Sequence, residues 1–279
     1  MSLADPSLTQ TSAPAAPQSP TAGLRRSWST PRAIVALMLR EMSTRYGRSP
    51  GGYVWAVLEP LGGVLILGMG LSLLVRTPSL GSTFFLFYAT GFLPFTIYQN
   101  LALMVGRAIQ FSRPLLFYPA VTWVDAVLAR FILNSLSSIL VTYILLAAIL
   151  ALADTQTVLD LPPILVSIGL AMLVGLGLGV LNCALIGLFP SWDMIWSIAT
   201  RPLFLASGVL FLYEDMPRGV QDILWYNPLM HVTGYMRMGF YPMYSPNYLS
   251  LTFTIGFGMI TLAMGLLLLG RYHRDILNN

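Results

Sequence analysis

The chain of 279 residues contains no lysine, and its fifteen basic residues are all arginine. A P-loop needs a lysine to reach the β- and γ-phosphates, so an ordinary Walker A site is excluded. Lysine Schiff-base and lysine general-base chemistry fall with it. Any ATP-driven work must therefore draw on a separate motor chain. Charge is scarce as well: 9% of residues are charged and 56% are hydrophobic, with a mean hydropathy of +0.72. A soluble domain of this size would need far more charge to cover its surface. The only cysteine, Cys183, sits in an apolar run, so it can form no intrachain disulfide and has no metal-ligand company. It reads as a small packing residue. No apolar stretch follows the first few charges, so residues 1–29, rich in Ser, Thr, Pro and Ala, read as a disordered cytoplasmic tail rather than a signal peptide.

What the chain does have is long apolar runs, expected near 52–75, 84–106, 122–153, 163–189, 195–213 and 249–270. Hydrocarbon offers no water to a bare peptide group, so each must be helical. The fold class is all-α, a polytopic membrane protein with six transmembrane helices. The alternating short segments of a β-barrel are missing. Ahead of the first run, residues 31–46 suit an amphipathic helix too short to span, lying in the headgroup layer. Glu41 and Arg45 stand there at i,i+4 in the favourable order.

Arginine placement sets the orientation. With the N-terminus inside, the inner side holds Arg25, Arg26, Arg32, Arg40, Arg45, Arg48, Arg107, Arg113, Arg130, Arg201, Arg271 and Arg274. The outer side keeps Arg76, Arg218 and Arg237. This asymmetry satisfies the positive-inside rule and puts both ends in the cytoplasm. It also accounts for the net charge of +4 without nucleic-acid binding.

Four regions carry candidate function. The junction from Arg45 to Pro60 turns a basic interfacial helix through Gly and Pro into a span bearing Glu59. An intramembrane carboxylate normally faces the bundle interior or water. Glu59 is thus either a polar contact at a translocation path or subunit seam, or a carboxylate paired with an arginine near the cytoplasmic end. Arg40, Arg45 and Arg48 could grip a phosphate on a lipid-linked substrate or attract anionic lipid. The proline-bounded loop 106–120 suits a short helix exposing Phe111, Leu115 and Leu116 to a partner's cleft, or a second interfacial helix. Asp125 and Arg130 could neutralise each other or their neighbours. Finally, residues 214–248 are too apolar for an ordinary outer loop and read as a re-entrant helix pair broken at Asn227–Pro228.

Smaller signals have plainer readings. Gly175, Gly177 and Gly179 give GxxxG packing spacing. His231 and His273 are expected on opposite sides of the membrane and cannot share a metal. Aromatics reach 12%; most suit interfacial belts, and a minority could face sugar rings in a wide channel.

Arg45-Tyr46-Gly47 followed by Gly52-Tyr53-Val54-Trp55-Ala56-Val57-Leu58-Glu59-Pro60 resembles the first-span signature of ABC-2-type permeases that export polysaccharides. Gly91-Phe92-Leu93-Pro94-Phe95, Leu115-Leu116-Phe117-Tyr118-Pro119, Asp125 to Arg130, and Trp225 to Val232 ahead of Arg237 are similar to that family in order and spacing. The likeness covers residue 30 to the C-terminus and is nearest to capsular polysaccharide export permeases of Gram-negative bacteria. It implies a transmembrane domain over 30–279 working as a homodimer in the bacterial inner membrane, with two copies of a separate ATPase that uses ATP and Mg. This chain would bind no cofactor itself. The implied cargo is a lipid-linked glycan, with periplasmic export proteins as further partners. By the same resemblance Arg40, Arg45, Tyr46, Arg48, Tyr53, Trp55 and Glu59 bound the entry to the channel. Arg107, Gln110, Phe111, Arg113, Leu115 and Leu116 form the ATPase-coupling loop. Trp225, Tyr226, Asn227, His231 and Arg237 form an outer gate. Rival cargoes are O-antigen, a teichoic-acid-like polymer or a small drug. A rival class is an ATP-independent secondary transporter, which the sparse mid-membrane charge disfavours.

Overall fold

A computed structural model describes residues 29–46, 52–73, 77–81, 83–117, 121–152 and 158–278. The tail expected over 1–29 lies almost wholly outside the described residues, as do Arg48 and Arg76. The described elements are helices α1 (Ser29–Tyr46), α2 (Gly52–Ser72), α3 (Phe84–Gly106), α4 (Ala108–Leu116) and α5 (Trp123–Leu152). They continue with α6 (Leu161–Leu188), α7 (Trp192–Ala206), α8 (Arg218–Leu224), α9 (Pro228–Phe240) and α10 (Leu251–Asn278). A 3₁₀ turn at Tyr213–Asp215 precedes α8. Among the described residues there is no strand.

Among the described residues, four helices are long and apolar enough to cross a membrane: α2 (counted from Val54), α5, α6 and α10. At 30 residues, α5 is about 45 Å long. That exceeds a hydrocarbon core of about 30 Å, so one end must project. The helix α3 runs antiparallel to α2, as the contacts of Gly63 with Phe92 and Gly68 with Phe85 require. Its Tyr, Thr, Gln and Asn residues keep it from reaching the sustained hydropathy of those four, and it is also among the most buried.

The centre of the bundle is α6, packed between α3 and α10. The spaced glycines explain how. A Cβ on Gly179 would sit 2.8 Å from the Val105 side chain, and one on Gly175 would sit 2.9 Å from that of Leu101. Both therefore let α3 approach closely. Gly177 faces the other way, where a Cβ would strike Thr261 and the Gly258 carbonyl of α10. Gly265 of α10 answers it by meeting the backbone of Val180 and Leu181. GxxxG spacing thus serves α3, and the intervening glycine serves α10.

Two spans end elsewhere than expected. The fifth, placed at 195–213, is helical only over Trp192–Ala206. Pro202 lies within it, and Gly208 adopts φ +68°, a left-handed stop that favours glycine. The last helix runs on to Asn278, because Ile276 packs into the space at Gly187 and Arg113 donates to the Leu277 carbonyl at 3.0 Å.

Candidate translocation path and its two ends

One end of the bundle collects arginines, and their partners are specific. Arg130, in α5, forms an ion pair with Glu41 of α1 at 3.2 Å, with both side chains almost wholly out of solvent. Its guanidinium also donates to the Met104 carbonyl of α3 at 2.7 Å and lies 4.2 Å from the ring centre of Phe111 in α4. Arg40 stacks on Phe111 too, at 5.1 Å. Cations over an aromatic face are attracted by its quadrupole. One buried knot therefore ties α1, α3, α4 and α5 together. Glu41 thus bonds across the fold to Arg130 instead of making only the expected local pair with Arg45, whose side chain lies outside the described residues. Asp125 does not pair with Arg130: it accepts from the backbone N–H and the hydroxyl of Thr122 at 2.9 and 2.8 Å, closing the first turn of α5.

The stretch expected to couple to an ATPase forms the expected short helix, α4, with a different exposed face. Phe111 turns inward, and Leu115 and Leu116 pack against Leu37, Ala126 and Ala129. The residues left outward are Gln110, Arg113, Pro114 and Phe117, the last 64% exposed. Arg107, just before α4, bonds Asp193 at the start of α7 through one nitrogen, at 3.1 and 2.9 Å to its two oxygens. That contact joins the short helix to α7.

Between α2, α3, α5 and α7 lies a cavity of about 520 Å³. Its wall sets a polar stripe, Thr96, Gln99 and Asn100 from α3, Ser137 and Thr142 from α5, and Ser197 from α7, among apolar residues such as Phe92, Leu103, Val141 and Trp196. Asn100 donates to Ser138 at 3.0 Å, which fixes the α3–α5 side. Glu59 reaches the cavity from α2, is exposed, and has no ion pair among the described residues. The arginine-paired alternative for Glu59 thus has no counterpart among the described residues. The helices flanking the opening are little covered: α7 buries no residue, and Trp55 of α2 is 61% exposed.

At the far end, α9 supplies the hydrogen bonds that the interrupted α7 lacks. A helix end leaves carbonyls without partners, and in a water-poor setting they must be satisfied by protein. Asn227 donates to the Ala206 carbonyl at 2.9 Å, and Thr233 to that of Ser207 at 3.0 Å. Arg237, 1% exposed, donates to Phe211 at 2.9 Å and Val209 at 3.2 Å, and lies 4.3 Å from the Phe87 ring. The break at Asn227–Pro228 is where it was expected; Asn227 caps α9 by accepting from Leu229 at 3.0 Å. His231 is fully buried between two backbone partners, the Trp225 carbonyl at 2.9 Å and the Ser250 N–H at 3.2 Å. That pair of partners selects the neutral imidazole with its proton on Nε2. Burial holds its pKa below the ordinary value.

The residues expected to act together divide accordingly. Glu59 lines the cavity and Trp55 lies on the exposed face of α2. Arg40 is committed to the knot; the side chains of Arg45, Tyr46 and Tyr53 lie outside the described residues. Of the five outer residues, Tyr226 is 71% exposed; Asn227, His231 and Arg237 point inward as fasteners, and Trp225 donates to the Tyr248 carbonyl at 3.1 Å. Arg201, counted among the inner arginines, stands within α7, inside the span placed at 195–213. The polar wall from α3 and α5 escaped sequence reasoning. Its signal was a run of Thr, Gln and Asn at helical spacing inside an otherwise apolar span.

The chain is 28% identical over 235 residues to the polysialic acid transport protein KpsM of Escherichia coli, covering 84% of this chain and 91% of that protein. It is 26% identical over 246 residues to the capsule polysaccharide export inner-membrane protein BexB of Haemophilus influenzae, covering 88% and 92%. It is 24% identical over 245 residues to the capsule polysaccharide export inner-membrane protein CtrC of Neisseria meningitidis serogroup B, again covering 88% and 92%. The ABC-2 type transporter family model matches residues 32–241, most of the helical bundle just described, and the chain belongs to that family.

Proposed function

We propose that this chain is the transmembrane permease subunit of an ATP-driven exporter that moves capsular polysaccharide out of the cytoplasm across the bacterial inner membrane. The observation that carries the reading is the hydroxyl- and amide-lined cavity between α2 and α7, in a chain whose relatives are capsule exporters. A glycan presents hydroxyls, and a wall of Thr, Ser, Asn and Gln can exchange hydrogen bonds with them without holding any one unit tightly. The complete lack of lysine supports a separate ATPase.

Two copies of the permease, each offering the uncovered faces of α2 and α7, would enclose one path, and two ATPase subunits would bind the arginine-rich end. That end is cytoplasmic in this reading, because eleven arginines remain on its side once Arg201 is assigned to α7. The exposed face of α4 carries the ATPase contact, and movement there passes through Arg107–Asp193 to α7 and through Phe111 to α1 and α5. The cargo is carried on a lipid anchor, with Trp55 and the basic α1–α2 junction at its entry. The 214–248 segment caps the outer mouth and would meet periplasmic export proteins. Deleting the gene tests direction and cargo together. Glycan should accumulate in the cytoplasm and return to the surface on complementation; unchanged surface glycan would remove the reading.

A further inference from the structure

Arg201 differs from the arginines that fasten the bundle. Arg107 has Asp193, Arg130 has Glu41, and Arg237 has two carbonyls. Arg201 is exposed and makes no ion pair or hydrogen bond among the described residues. It also lies far from the arginine-rich end. α7 starts at Trp192, level with Arg107 through the Asp193 contact, and Arg201 follows about 14 Å further along the axis. A cation at such depth is costly unless it faces a water-filled cavity. Arg201 does face one. A concavity of about 410 Å³ is lined by Arg201, Thr200, Ser197, Gln99, Phe95 and Phe204. It shares Gln99, Ser197 and Thr200 with the larger cavity, so the two adjoin. Phe204, half-buried and backed edge to face at 5.1 Å by the buried Phe95, brings an apolar edge to the same concavity.

Resting on the reading of this cavity as the glycan path, we infer that Arg201, with Gln99 and Thr200, is a specificity position that recognises an anionic group on the passing substrate, a carboxylate or a phosphate. The guanidinium fork suits planar oxyanions. The neighbouring amide and hydroxyl would take sugar hydroxyls, and the aromatic surface the apolar face of a ring. An unpaired cation also lets the anion leave again, because nothing else anchors it there.

The test uses the permease assembled with its ATPase in zwitterionic lipid nanodiscs, with polymer-stimulated ATP hydrolysis as the readout. Three probes separate the sources of negative charge: a lipid-anchored polysaccharide with a carboxylate in each repeat, the same polymer after carboxyl reduction, and the phosphate-bearing anchor alone. The measured quantity is the ratio of half-saturating concentrations between probes. The intact complex should favour the carboxylated polymer over the reduced one by roughly tenfold, the scale of one charge-assisted hydrogen bond. Arg201→Lys should keep most of that preference, Arg201→Gln should bring the ratio close to one, and Arg201→Glu should reverse it. An Arg201-dependent response to the anchor alone places the recognised anion on its phosphate and supports the same site. Equal weakening toward charged and reduced polymer in Arg201→Gln would make the residue a scaffold and overturn the inference. So would a Glu59→Gln variant that reproduces Arg201→Gln, since the arginine would then serve as a counter-ion across the cavity. No response of the unaltered complex to any probe would instead defeat the export reading beneath it.

Discussion

An ion pair closed off from water stands or falls as a unit. Removing one partner of Glu41–Arg130 leaves the other charged and buried, which typically costs about 3–5 kcal/mol. Arg130→Met should therefore sharply lower the thermal unfolding midpoint in detergent, while the double variant Glu41→Leu/Arg130→Met should recover much of the loss. Equal midpoints for single and double variants would show that the pair is not coupled. His231 gives a second residue-scale expectation, this time in pH. Burial in the folded chain holds its pKa below the ordinary imidazole value, so on acidification the unfolded chain gains a proton that the folded chain resists. The stability it contributes is complete above about pH 6.5 and is lost below it. Thermal midpoints should fall between pH 7.5 and 5.5, and His231→Gln should flatten that difference; an equal fall in the variant would assign it to other groups.

At the scale of elements, α4 has two faces with different duties, and substitutions can separate them. Phe111 sits between two guanidinia inside the fold, so Phe111→Ala should reduce stability, by about 3 kcal/mol if it follows large aromatic truncations elsewhere. Phe117 is exposed at the end of the same helix. Phe117→Asp combined with Gln110→Glu should leave the unfolding midpoint nearly unchanged and reduce co-purification of the ATPase several-fold. Normal assembly in that double variant would move the docking surface off α4. The pairing of α7 with α9 is likewise a property of elements. A helix of 15 residues can stop short because the neighbouring helix carries the side chains that close its free carbonyls.

The whole molecule is an incomplete enclosure: a polar cavity whose flanking helices, α2 and α7, leave long apolar faces open. A second copy and surrounding lipid would cover those faces, leaving the polar wall toward the path. Narrowing the cavity without disturbing its supports should then slow export alone. Ser197 is exposed on α7, and its hydroxyl bonds only the Met194 carbonyl of its own helix, at 2.8 Å. Ser197→Trp should cut glycan export at least several-fold while dimer and ATPase association persist. Unimpaired export would place the path elsewhere.

The sequence by itself determined the helical membrane class, the positions of most helices within a few residues, the break at Asn227–Pro228 and the lack of the lysine that an ordinary Walker A site needs. Each follows from local chemistry: apolar run length, proline and glycine stops, or a missing side-chain type. The tertiary structure decided which polar group meets which. Glu41 had a plausible local partner in Arg45, yet burial brings Arg130 to it from a distant helix. Asn227 and Arg237 looked like gate residues, but they face inward because the carbonyls between Ala206 and Phe211 need donors there. Periodicity can say which face of a helix is polar, but it cannot say what lies opposite. In a bundle where unsatisfied groups are expensive, that opposing group settles the role.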